Sequence, residues 1–142
     1  MNLKLASDLS IKPDAVTETF AIIAKRGKGK TYTAKVFFEE LYVAKLPCVA
    51  LDPVGVWWGL RLDADGQSPG LSVTILGGTR GDLPLEPTAG KVVAQLVTDE
   101  PQPLILDLSE FSEADKRRFV ADFAEALDRK STRLNSSHPY RS

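Results

Sequence analysis

Short apolar runs alternate along this chain with longer stretches of helical period, and that alternation predicts most of its elements. Residues 2 to 19 switch loosely between apolar and polar around a Pro13-Asp14 turn signal, which predicts a strand or hairpin leading into the core. Phe20-Ala21-Ile22-Ile23-Ala24 is continuous and apolar, the pattern of a strand buried on both faces of a parallel sheet. After a Gly-rich turn, Ala34, Phe37, Phe38, Leu41 and Ala44 recur at helical spacing, so a helix is expected to about Lys45. Pro47 to Leu51 predicts a second strand ending at Asp52-Pro53, and Val73 to Leu76 a third, before the loop Gly77-Gly78-Thr79-Arg80-Gly81-Asp82. A Gly/Asp/Ser-rich loop from about Asp63 to Gly70 separates them. Thr88 to Val97 predicts a helix, and Leu104-Ile105-Leu106-Asp107 a further strand after Pro103. Ser112 with Asp115 resembles a capping box, ahead of a helical face of Phe119, Val120, Phe123, Ala124 and Leu127.

Strands alternating with helices define an α/β chain, with a mostly parallel sheet flanked by helices and joined by right-handed crossovers. The length of 142 residues and 43% hydrophobic content suit one core. Three segments are expected: a lead-in at 1–19, the main domain at 20–127, and a tail at 128–142. From Asp128 the chain becomes polar and loses its periodicity, which predicts a disordered, basic end. The string from Asp128 to His138 resembles the conceptual translation of a widely used sequencing adapter, so the tail is expected to be non-native. On that reading the natural sheet is incomplete at its C-terminus and the protein continued past Leu127.

Charge changes the picture little. The chain carries 18 basic and 19 acidic residues. The tail holds Arg129, Lys130, Arg133 and Arg141 against Asp128, which leaves 14 basic and 18 acidic residues before it. No overall positive field advertises a nucleic-acid partner. The single Cys48 cannot form an internal disulfide, and no apolar stretch is long enough for a leader or a membrane span, so a cytoplasmic setting without membrane contact is expected. His138, the only histidine, lies in the suspect tail, and no metal-ligand cluster is visible.

The candidate chemistry lies at Ala24-Lys25-Arg26-Gly27-Lys28-Gly29-Lys30-Thr31, a P-loop set between a buried-strand pattern and an amphipathic helix. A strand turning sharply into a helix aims several backbone N–H groups into one concavity, and the helix dipole adds positive potential there. Gly27 and Gly29 allow close backbone approach, Lys30 offers a charge to the β and γ phosphates, and Thr31 offers a hydroxyl to magnesium. Arg26, Gly27, Lys28, Gly29, Lys30, Thr31 and Tyr32 are therefore the candidate nucleotide contacts, with ATP and Mg²⁺ as cofactors. Ala24 stands where the usual pattern has Gly.

From Phe20 to Leu127 the chain resembles ATPases of the HerA/FtsK superfamily with a HerA-like central domain. The resemblance is carried by AKRGKGKTYTA at 24–34, LDPVGVWWGLR at 51–61, ILGGTRGDLPL at 75–85, and LILDLSEF with KRRFVADFAEAL at 104–127. It implies a P-loop NTPase fold of the RecA/ASCE type and, in the full-length protein, ATP hydrolysis coupled to translocation or unwinding of double-stranded DNA. It also implies a homo-oligomer, commonly a hexamer. Lys28 stands where such families usually carry Ser.

Asp52, at a strand end, is either a residue orienting water or magnesium or a turn residue before Pro53. Asp107 either resembles the aspartate that holds magnesium through water in P-loop enzymes or is a strand-end residue. Leu108 follows it where a motor ATPase places a catalytic Glu, and in the family that Asp-Glu pair lies on a later strand. Glu110 is a weaker candidate for the base. Trp57 and Trp58 read as a cover over the sheet edge or an interface pair. Lys116-Arg117-Arg118 reads as a solvated face or a phosphate contact. Two other readings of the P-loop stay open: a small P-loop kinase, and a nucleotide-gated interaction module without its own hydrolysis.

Overall fold

The computed structural model describes residues 2–7, 9–11, 30–63, 65–67 and 69–136. The expected strand at Phe20–Ala24, the loop residues through Gly29, and residues 137–142 with His138 lie outside the described residues. The chain forms two compact units, Met1–Cys48 and Val49–Ser142.

The first unit begins with a hairpin, in which β1 (Leu3–Ala6) pairs antiparallel with β2 (Leu9–Ile11), ahead of the expected Pro13-Asp14 turn, which lies outside the described residues. The register slips between Lys4 and Ala6, where an irregularity bends the short ribbon. Helix α1 (Lys30–Val43) packs against β1, and the Glu40 carboxylate accepts the Lys4 backbone N–H at 2.9 Å. Leu3 and Phe38 are buried. The helix ends without glycine: Lys45 takes φ 59, while Leu46 N donates to Leu41 O at 2.9 Å and Lys45 N to Tyr42 O at 3.0 Å. These two bonds satisfy last-turn carbonyls that would otherwise be left over, as in a Schellman ending.

The second unit is built around β5 (Leu104–Asp107), which is buried along its whole length. It lies between β3 (Val49–Asp52) and β4 (Thr74–Leu76), parallel to both, in the order β3-β5-β4. Helices α2 (Gly90–Asp99) and α3 (Glu113–Ser136) pack on each other. Val93 and Ala94 of α2 and Phe119 and Phe123 of α3 join Leu76, Leu104, Leu106 and Leu108 in one core. Alternation along a strand sends Leu104 and Leu106 to that core and Ile105 to the opposite face, where it is also fully buried. Three helices and a three-stranded parallel sheet thus give the α/β architecture expected from the sequence. No described helix is long and apolar enough to cross a membrane.

Three differences from expectation have local causes. Trp57–Arg61 forms a 3₁₀ helix inside a stretch that carried no periodicity. Helix α2 starts at Gly90 rather than Thr88, after a turn in which Ala89 N donates to Glu86 O. Helix α3 continues through Ser136, so residues 128–136 are helical where an unstructured tail was expected. Ser112 Oγ caps this helix by accepting Asp115 N at 3.1 Å, and Glu113 and Asp115 lie in the first turn, where acids favour the dipole. Once nucleated and anchored by Phe119, the helix extends at little cost per residue, and no Gly or Pro stops it before Pro139.

Two predictions follow from packing. Burial pushes the Cys48 thiol up to about 11. At pH 8 only about one thiol in a thousand is then ionised in the folded state, so a thiol reagent should label Cys48 slowly until denaturant opens the fold. Because the folded value is raised, stability should fall as pH rises from about 9 towards 11; fast labelling at pH 8 of the native chain would contradict this. The second concerns Gly90, where an added Cβ would meet Asp122 Cβ and Phe119 O at 2.8 Å each. Gly90→Ala, ordinarily a gain of about 1 kcal/mol in a helix, should instead lower the urea midpoint by forcing α2 off α3.

Candidate functional site

The carboxyl edge of the parallel sheet gathers polar groups that the strands themselves exclude. Asp52 and Asp107 end neighbouring strands in direct register, and both are buried, at 1% and 5% exposure. The pairing continues past them, with Leu108 N donating to Asp52 O at 2.9 Å.

Asp52 is fully engaged by its own loop. Its Oδ1 accepts Val54 N at 3.2 Å and Gly55 N at 2.8 Å, and its Oδ2 accepts Trp57 N at 2.9 Å. Three backbone donors offset the cost of burying the carboxylate and fix where the 3₁₀ helix starts. Among the described residues Asp107 is engaged on one side only, where Oδ1 accepts Ser109 N at 2.9 Å. Its other oxygen faces Gly78, where a Cβ would collide with it, and a Cβ on Gly77 would strike the Asp107 carbonyl. Both glycines have positive φ, 83° and 67°, so the loop after β4 can close over the carboxylate only with glycine at these positions.

The remaining candidates are spread out. Lys30 and Thr31 occupy the first turn of α1, whose N–H groups lack intrahelical acceptors. Arg26, Gly27, Lys28 and Gly29 lie outside the described residues. Tyr32 is 73% exposed on α1. Glu110 is exposed in the turn after β5. Lys116 pairs with Glu113 at 3.0 Å and Arg118 approaches Asp122 at 3.9 Å, both along α3. Among the described residues no group of His, Cys, Asp and Glu is arranged to hold a metal.

Residues that the sequence did not single out form a second polar group. Arg61 Nε donates to Val73 O at 2.9 Å, and its Nη2 pairs with the Asp82 carboxylate. The same Asp82 oxygen accepts Ile75 N at 2.8 Å. This backbone bond and the Arg61 charge hold the Asp82 carboxyl below the usual carboxylate range. Arg80 lies over Trp58, with its guanidinium carbon 3.8 Å from the ring centroid. The only signal for these contacts was the Gly-rich spacing of residues 77–82, which marks a tight loop but not what it holds.

A three-stranded parallel sheet packed with helices, with loops meeting at its carboxyl edge, defines the class: an α/β domain of the P-loop kind. The family model described as "Helicase HerA, central domain" matches residues 4–66. No curated protein matches the chain significantly. No solved structure does so either.

Asp52→Asn leaves one oxygen for three donors and turns an amide N–H₂ towards a backbone N–H. It should cost about 1–3 kcal/mol in urea unfolding. An unchanged midpoint would mean that the loop does not depend on this carboxylate.

Proposed function

We propose that this chain binds ATP with Mg²⁺ at the loop Ala24–Thr31 and that the whole protein is a motor ATPase acting on double-stranded DNA, working as a homo-oligomer. The observation that carries the reading is the HerA central-domain match at 4–66, which spans the whole loop and the helix that follows it. The start of α1 at Lys30 supports it, because the motif requires a helix to open at its Lys-Thr pair. In this reading Arg26 to Gly29 and Tyr32 surround the triphosphate, Lys30 neutralises it, and Thr31 ligates magnesium. Bound magnesium would supply charge neutralisation at the β and γ oxygens.

Asp107 ends the central strand of the second unit with one carboxylate oxygen free of backbone donors among the described residues, which suits it to hold an ion through water. Asp52, held by three backbone N–H groups, shapes the neighbouring loop. Hydrolysis needs a further carboxylate to activate water, because Leu108 follows Asp107. The chain is therefore expected to bind ATP and turn it over slowly.

The test is titration with a fluorescent ATP analogue and Mg²⁺. Lys30→Ala should weaken binding by tenfold or more, about 1.4 kcal/mol, and chelating the magnesium should weaken binding to the native chain. Equal affinity for the native chain and Lys30→Ala would sink the assignment.

A further inference from the structure

The 3₁₀ helix at Trp57–Arg61 and the loop after β4 enclose a cavity of about 410 Å³ lined by Trp58, Arg61, Leu62, Ile75 and Arg80. That size is within the range of small-ligand sites, about 300–1,000 Å³. Its two arginines have different standing. Arg61 is fixed by Val73 O and neutralised by Asp82, which is itself held by Ile75 N. Arg80 has no carboxylate partner among the described residues; its cation rests on the face of Trp58 at 3.8 Å. Among the described residues the cavity therefore carries one positive charge without a carboxylate partner, beside an aromatic ring and two aliphatic side chains.

A guanidinium seated on an aromatic face leaves its N–H edges available, and those edges suit the paired oxygens of a phosphate better than a point acceptor. The apolar lining provides a surface for the flat or aliphatic body that carries such a phosphate. We propose that Arg80, supported by Trp58, is a phosphate-binding residue and that this cavity seats one phosphodiester unit of a nucleic-acid backbone. The choice of nucleic acid as the source of the phosphate rests on the DNA-acting function proposed above; the phosphate chemistry itself rests only on the cavity.

The experiment measures anisotropy of a fluorescent 20-base-pair duplex without nucleotide, in a Lys30→Ala background so that the P-loop does not contribute. Arg80→Gln is expected to weaken duplex binding about five- to tenfold and to reduce the slope of log affinity against log salt by about 0.9, the value for one phosphate contact. Arg80→Lys should recover part of the affinity, and Trp58→Phe should weaken it less than Arg80→Gln. Arg80 is exposed, so an unchanged melting temperature should accompany each Arg80 change. A parallel titration with AMP separates the sources: loss for AMP but not for the duplex upholds the phosphate site and overturns the nucleic-acid assignment. Equal binding of both ligands by Arg80→Gln and its parent, or no binding of either by the parent, overturns the proposal. An ATP-binding failure at the P-loop would leave these readouts unaffected.

Discussion

The burial of β5 on both faces is the constraint from which the second unit follows. A strand with Leu104, Ile105 and Leu106 all inaccessible to water must satisfy its backbone groups on both edges, and β3 and β4 do so in parallel. Parallel pairing brings the carboxyl ends of all three strands to one side. The first position at which β5 can carry a charge is therefore its last residue, Asp107, where a loop can approach. Register then sets Asp107 beside Asp52. The glycines of the β4 loop follow in turn, since a side chain at Gly77 or Gly78 would occupy the space taken by Asp107.

Two buried carboxylates side by side repel, and the structure meets this by giving them different surroundings. Asp52 accepts three backbone N–H groups. Asp107 accepts one among the described residues. A similar division separates the arginines. Asp82 pairs with Arg61 and accepts Ile75 N, while Arg80 lies over Trp58 without a carboxylate partner among the described residues.

The elements that were legible in the sequence are those whose signal is local. The β5 run, the amphipathic face through Phe119 and Phe123, and the Ser112 cap need no information from elsewhere in the chain. The 3₁₀ helix was not legible because its start is fixed by Asp52, five residues before Trp57, and its end by Arg61 reaching across to Val73. The end of α1 lacks its usual mark, since Lys45 occupies the left-handed position that glycine normally takes. The helical extension beyond Asp128 was missed for the opposite reason: a polar sequence without periodicity can continue a helix whose stability comes from an anchored first half. For the candidate site, the P-loop was readable as a motif, while the Arg61–Asp82 and Arg80–Trp58 pairs depend on a fold that brings residue 58 to residue 80.

The residue after Asp107 shows what packing admits at the acidic edge. Leu108 is 1% exposed and belongs to the core with Phe119 and Leu106. A glutamate there would bury a carboxylate among aromatic and aliphatic side chains, costing several kcal/mol or forcing it to take up a proton. A protonated glutamate cannot accept a proton from attacking water. The core packing of α3 against β5 thus closes that position to a general base, whatever its sequence. Glu110, two residues further on, escapes the core only by standing exposed in the turn, where nothing among the described residues orients it. A general base at this edge would have to come from an element other than β5 and the turn after it.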